Sequence, residues 1–198
     1  MNEPERITLP LTRRDVNSLR VGKFVLLSGR IVTGRDRIHN FLFHRKLSGK
    51  QLPVNLKGSI LYHCGPVIKK TAGQYRIIAG GPTTSIRLEM YEHKIIINYG
   101  LRGIMGKGGM GEKTLNALKK AGCVYFHAVG GAAVSLAEKV KHVVDVWKLE
   151  EFGPTEAMWI LDVEDFPAVV TMDCHGKSLH KDIAKEAETK FRKLVFRN

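Results

Sequence analysis

Short apolar runs closed by glycine recur along this chain, and they limit what it can fold into more than any other feature. "GSILYHCGP", "YRIIAGG", "GIMGKGG" and "CVYFHAVGG" each hold a few consecutive apolar residues before the glycine. A run of about four to eight apolar residues between glycine or proline boundaries has the length of a buried strand, not of a helix. About seven such segments are spaced along the sequence, with helical patterns between them. Buried strands need cover on their faces, so the alternation predicts a layered α/β domain. The chain has 198 residues and no visible repeat, low-complexity tract or linker, which predicts a single domain over residues 1–198.

The intervening segments have readable ends. "LTRRDVNSL" reads as a short helix with Thr12 as N-cap and Asp15 three residues on. "KFVLLSGRIVTG" reads as a strand or strand pair, and "RDRIHNFLFHRKL" spaces Ile38, Leu42, Phe43 and Leu47 as a helix does. "VIKKTAGQY" is expected to be a turn around Gly73. "SIRLEMYEHKIIINYG" and "EKTLNALKKAG" read as helices closed by Gly100 and Gly122. "AAVSLAEKV" is another helix, and "HVVDVWKLEEFG" another strand. "MWILDVEDF" and "AVVTMD" are expected as two further strands. "SLHKDIAKEAETKFRKLVF" closes the chain as an amphipathic helix, with Ile183, Ala187, Phe191 and Leu194 on one stripe.

The balance of 32 Lys and Arg against 19 Asp and Glu gives a net charge of +13. Such a surface attracts anions, whether nucleic acid, acidic proteins or small carboxylates and phosphates. The C-terminal helix carries Lys177, Lys181, Lys185, Lys190, Arg192, Lys193 and Arg197, but Asp182, Glu186 and Glu188 interleave with them. That interleaving fits a solvated face better than a nucleic-acid contact, and no nucleic-acid motif accompanies it. No run approaches the roughly 20 apolar residues of a membrane span, and no secretory signal is present, so a cytoplasmic location is expected. The three cysteines, Cys64, Cys123 and Cys174, lie far apart without C-x-x-C spacing. They read as buried reduced thiols, neither a disulfide framework nor a zinc site. His63, His127 and His175 fall at apparent strand ends or turns, but no pair has metal-ligand spacing, so no metal is expected on this chain.

Three loops carry the chemistry. In "GGPTTSIR" a Gly-Gly-Pro turn lets backbone approach a ligand, and Thr83 or Thr84 is placed to cap the next helix. The N–H groups of that helix would then face an anion, with Arg87 one turn beyond Thr83. The alternative is a capped helix with a surface arginine. "IMGKGGMG" lacks the order of a nucleotide-binding loop. It either presents Lys107 to an anion or simply joins a strand to a helix. In "GRDRIHN", Arg35 offers a bidentate fork that Asp36 can hold in place, with His39 one turn on. The plainer reading is a charged helix start.

Taken in order, "VTGRDRIH", "YHCGP", "GGPTTSIRLE", "GKGGM" and "DCHG" resemble the β subunit of two-subunit class I fumarases. They are similar also to the C-terminal domain of single-chain class I fumarases and to the β subunit of L-tartrate dehydratase. The resemblance runs from about Val21 to Gly176. It implies a swivelling β/β/α domain that closes over an oxygen-sensitive [4Fe-4S] cluster. The cluster would be held by the cysteines of a partner α subunit, with none bound by this chain alone. It implies reversible hydration of fumarate to L-malate, or dehydration of a related hydroxy-dicarboxylate.

Mapped onto this sequence, the resemblance makes Thr83 the catalytic residue and places Thr84, Arg35, Arg87 and Lys107 around the substrate. Arg and Lys at a carboxylate stabilise the charge that grows as the adjacent proton leaves. A threonine hydroxyl is a weak base, so Thr83 either is strongly activated, with help from Lys107 and a helix N-terminus, or relays the proton. The resemblance also implies an assembly of two α and two β chains, and a β chain alone has an exposed partner face through which it can self-associate. The reading from a different class is a basic nucleic-acid-binding module.

Overall fold

The computed structural model describes residues 3–45, 47 and 49–195. Arg197, counted above among the basic residues of the last helix, lies outside them. The first half comprises β1 (Glu5–Thr8), α1 (Arg13–Ser18), β2 (Phe24–Thr33), α2 (Asp36–His44), β3 (Ile60–Tyr62), β4 (Val67–Thr71), β5 (Gln74–Ala79) and α3 (Glu89–Tyr99). There follow β6 (Gly103–Gly106), α4 (Glu112–Ala121), β7 (Val124–His127), α5 (Ala133–Ala137), β8 (Val140–Trp147), α6 (Leu149–Phe152), β9 (Met158–Met172) and α7 (Leu179–Val195).

Strands β2, β3, β6 and β7 lie side by side and parallel. Strand β9 runs antiparallel to β7 at one end of that row and to β2 at the other. The pairing therefore closes on itself, with β1 and β8 added outside β2 and β9. Side chains alternate across strands, and they separate here into two cores. One, between the opposed parts of the sheet, holds Leu27, Tyr62, Phe126, Trp159 and Phe166. The other packs Val32, Leu61, Ile104 and Tyr125 against Ile38 and Leu42 of α2, Ile95 and Ile96 of α3, and Leu115 and Leu118 of α4. The layers are β, β and α, in agreement with the expected fold class.

Several local expectations are met. Thr12 and Asp15 form a reciprocal capping box on α1. Gly100 and Gly122 close α3 and α4 with φ of 65° and 67°, where a side chain on Cβ would be strained. Others are corrected. "VIKKTAGQY" is not only a turn: Val67–Thr71 is a strand, hairpinned to β5 through Ala72 and Gly73. The two strands expected from "MWILDVEDF" and "AVVTMD" are one strand of 15 residues. Asp165, at φ 49°, carries the chain through the break that its sequence implies. "LEEF" leaves β8 to form a short helix.

Helix α7 forms as expected, with Lys190–Glu186 and Arg192–Glu188 pairs on its face, but its apolar stripe is not covered. Ile183, Phe191 and Leu194 are 55%, 61% and 74% exposed. No helix of the described chain is long and apolar enough to cross a membrane.

Candidate active site

All four parallel strands end on the same side, as their shared direction requires. Loops at the carboxyl edge of parallel strands are where α/β folds place ligands. The "GRD" loop leaves β2 there, "HCGP" leaves β3, and "GKGG" leaves β6. The "GGPTTS" segment returns from the β4–β5 hairpin and lies between the last two. Its backbone joins them: Thr83 N–H donates to the His63 carbonyl at 2.6 Å, Ser85 N–H to the Lys107 carbonyl at 2.9 Å, and Lys107 N–H to the Thr83 carbonyl at 3.2 Å. Three segments distant in sequence thus form one rim.

The rim is held close by glycine. A Cβ on Gly106 would lie 2.0 Å from Ser85 Oγ, and one on Gly65 would lie 2.5 Å from Arg35 Cδ. Arg35 passes over Gly65 and is only 26% exposed. Its guanidinium makes no hydrogen bond among the described residues; Glu156 Oε1 is 3.5 Å away and Asp36 Oδ2 3.9 Å. Its buried Nε has no hydrogen-bond partner. Asp36, expected to hold Arg35, instead accepts from Arg87 at 2.8 Å, so it sits between the two arginines.

Lys107 is half-buried and has no carboxylate partner among the described residues, and no hydrogen bond engages the hydroxyl of Thr83 or Thr84 there. Arg35, Asp36 and Arg87 form one charged group, and Thr83, Thr84 and Lys107 form one backbone-linked group beside it.

The capping expectation fails. Neither threonine caps a helix: the chain enters a 3-10 turn over Ser85–Leu88, Thr84 makes no capping bond, and α3 starts only at Glu89. The backbone N–H groups of Thr83 and Ser85 are already engaged by the rim. The helix after the glycine loop is closed to anions too. Glu89 accepts from Gly111 N–H at 2.8 Å, Thr114 N–H at 3.1 Å and the Thr114 hydroxyl at 2.6 Å, so a carboxylate of the chain itself occupies the N-terminus of α4. Those backbone donors are therefore spent, and the side chains of the rim remain available to a ligand.

Behind the rim lies a cluster that sequence spacing did not show. His39 Nε2 and His63 Nε2 both face Glu92 Oε2, at 2.8 and 3.1 Å, and all three side chains are fully buried. The remaining ring nitrogens are engaged as well: His39 Nδ1 with the Arg35 carbonyl at 2.7 Å, His63 Nδ1 with Ser85 Oγ at 2.8 Å. Burial pushes the Glu92 carboxyl up, but the facing His39 and His63 rings outweigh it and hold the group at about 2. Burial pushes His63 down, against the pull of Glu92, and keeps its ring neutral. These are metal-ligand residue types lying within 4.8 Å of one another, yet every facing atom already has a hydrogen-bond partner. Periodicity offers no signal for such a group, because its members come from three elements.

The thiols do not make a cluster ligand set. Cys64 lies in one core, where burial pushes its thiol up to about 12, and Cys123 lies fully buried in the other, raised by the same cause. A thiolate, not a thiol, is the ligand. Among the described residues, the one convergent group of three ligand types contains no cysteine. An iron-sulfur cluster does not fit the donors of this chain. Elsewhere, a cavity of about 1020 Å³ lies between the β4–β5 hairpin and β8, and none of the rim residues lines it.

Residues 2–183 match the family model described as the fumarase C-terminus. The chain belongs to that family. It is 49% identical to a Geobacillus stearothermophilus protein named "Putative fumarate hydratase class I", across 98% of this chain but 38% of that relative's length. This fumarase C-terminus chain is also 40% identical to a Methanocaldococcus jannaschii protein named "Putative L(+)-tartrate dehydratase subunit beta", across 93% of this chain and 95% of the relative. A third relative, the L(+)-tartrate dehydratase subunit beta of Escherichia coli K12, is 34% identical across 87% of this chain and 85% of its own length. The rim just described is built from four of the five motifs that carried the resemblance in the sequence; "DCHG" lies apart from it, after β9 and against Asn17.

Proposed function

We propose that this chain is the β subunit of a [4Fe-4S]-dependent hydro-lyase that reversibly hydrates fumarate to L-malate, at a site shared with an α subunit in the cytoplasm. The observation that supports it best is the set of uncommitted donors on one rim. The Arg35 guanidinium, the Lys107 ammonium and the Thr83 and Thr84 hydroxyls lack hydrogen-bond partners within the described chain. A dicarboxylate presents acceptors of the right charge to such a set, and Arg35 suits its planar geometry. The cluster is assigned to the partner, since the thiols here do not fit it.

The work of this chain is binding and proton transfer. Arg35 and Lys107 face a substrate carboxylate and stabilise it most when the neighbouring carbon loses its proton and charge spreads onto the carboxylate oxygens. Arg87, braced by Asp36 at 2.8 Å, sets the other edge of the patch. Thr83 stands at the transferred proton, and Thr84 binds beside it. With Lys107 close in the rim, a Thr83 hydroxyl that gives up its proton has a cation to face.

The reading as an L-tartrate dehydratase β subunit has its own support. The two relatives bearing that name align along 95% and 85% of their lengths, whereas the fumarate hydratase relative is much longer than this chain. The test is an anaerobic assay of the chain assembled with its α subunit after cluster reconstitution, on fumarate, L-malate and L-tartrate. Fumarate turnover that collapses in Thr83→Ala and Lys107→Ala is the expected result. Turnover of tartrate alone changes the substrate and keeps the mechanism. A loaded, stable complex that turns over no dicarboxylate overturns the enzyme reading and returns the basic surface, with nucleic acid as its ligand, to first place.

A further inference from the structure

The buried cluster behind the rim has a polarity that follows from donor and acceptor chemistry alone. At one end, the Gly109 N–H of the glycine loop can only donate, and it meets Tyr125 Oη at 3.2 Å. At the other end, the Arg35 carbonyl can only accept, so His39 Nδ1 carries a proton. Between them, the Tyr125 hydroxyl donates to Ser85 Oγ at 2.9 Å, and the Ser85 hydroxyl is then left to donate to His63 Nδ1 at 2.8 Å. A neutral His63 with Nδ1 accepting carries its proton on Nε2 and donates to Glu92 Oε2. His39, with Nδ1 already donating, reaches the same oxygen through Nε2. A proton therefore lies on that contact too, between His39 Nε2 and Glu92 Oε2. Every donor in the chain has one acceptor: those from Gly109 to His63 point toward Glu92, while the His39 Nδ1 proton points outward to the Arg35 carbonyl.

The two ends of this chain are the "GKGG" and "GRD" loops, and Ser85 in its middle belongs to "GGPTTS". We propose that Glu92 is a positioning residue for the candidate site: through His63, Ser85 and Tyr125 on one side and His39 on the other, it fixes the rim loops that carry Lys107, Thr83 and Arg35. Its meaning for catalysis rests on the hydro-lyase reading; the positioning itself does not. A carboxylate is required because both rings share one oxygen while Glu92 Oε1 has no partner among the described residues. In Glu92→Gln, a single amide atom at that point cannot serve both rings. As oxygen it cannot carry the proton that the His39 contact shares with a carboxyl group; as nitrogen it opposes the His63 N–H.

The experiment has two arms. On the full β chain, nitrogen-15 NMR of the histidine rings in the wild type is expected to show His63 protonated on Nε2 alone and His39 protonated on Nδ1. Hydrogen exchange is then compared in Glu92→Gln and in Tyr125→Phe, which removes the hydroxyl that links the Gly109 N–H to Ser85. The expected result is at least tenfold faster exchange at the amides of Ser85, Lys107 and Gly109, with α4 amides such as Leu118 unchanged. Wild-type exchange at those loop amides in folded variants overturns the proposal. So does a His63 proton on Nδ1, or stoichiometric zinc in the purified chain, which makes the three residues ligands instead.

In the assembled α–β enzyme, Glu92→Gln is expected to raise the KM for the dicarboxylate and lower kcat/KM at least tenfold. Its melting temperature is expected to fall as well, because the buried carboxylate also stabilises the fold, and Glu92→Asp should recover part of the KM change. A purely structural role would move the melting temperature and leave KM in place. If the loop arm succeeds and the wild-type assembly turns over no dicarboxylate, the functional reading fails and the positioning stands.

Discussion

At the residue scale, the rim differs from an ordinary polar edge in that Lys107 and the Thr83 and Thr84 hydroxyls have no hydrogen-bond partner among the described residues. Lys107 is therefore predicted to contribute to activity and little to folding. Lys107→Ala should lower kcat/KM of the assembled enzyme by about 100-fold or more, the scale of a lost charge-stabilising donor, while a urea melt of the chain moves by less than about 0.5 kcal/mol. Gly106→Ala should do the reverse first. Its Cβ would lie 2.0 Å from Ser85 Oγ and 3.0 Å from His63 Nδ1, so stability should fall by about 1–3 kcal/mol, checked by the same melt. The loops that carry Arg35, Thr83, Arg87 and Lys107 could be singled out as candidates because each is a short motif whose residues are neighbours in sequence. Glu92 could not, since it meets His39 across 53 positions and His63 across 29. A lone glutamate on a helix reads as a solvated residue until the fold buries it.

At the element scale, α3 joins the rim to the helical layer twice, through Glu92 beneath the loops and through Glu89 at the start of α4. Glu89→Ala removes the acceptor for three donors at once. It should destabilise the chain by about 2 kcal/mol, more than a lone N-cap loss, and should release the Gly111 end of the glycine loop to faster hydrogen exchange.

Elements bounded by glycine and carried by local periodicity were readable: β2, β3, β6, β7 and α4 fall where their patterns put them, and α3 does so from Glu89 to its Gly100 close. The misread elements share a different cause. Asp165 and the following Phe-Pro pair imply a break, but pairing with β2 across more than 130 positions, as in Leu26 with Pro167, carries β9 straight through. The threonines read as caps because hydroxyls before a helix usually are. Here the backbone of that segment is held by neighbouring strand ends, which leaves no helical turn for them to cap.

At the scale of the whole molecule, several groups prefer their unprotonated state when folded. Burial lowers His63, His127 and His180, and the facing rings hold Glu92 at about 2. The unfolded chain binds more protons than the folded one below their ordinary values, so stability should rise with pH. The histidine part is lost as pH falls below 6.5, and the Glu92 part as pH falls from 4.5 towards 2. Chemical denaturation midpoints measured from pH 4 to pH 8 should climb and then level off above about pH 7. A flat profile would mean that these groups titrate alike in both states.

The closed pairing of the sheet also sets an order of events during synthesis. Residues 24–127 supply the four parallel strands, but the strand that joins the two ends of their row begins only at Met158. A ribosome-bound chain therefore displays both open borders of that row until the last fifth of the sequence has emerged. Unpaired strand edges recruit other strands. The nascent polypeptide is thus at its most adhesive between the release of β7 and that of β9, and β9 ends that exposure in one step.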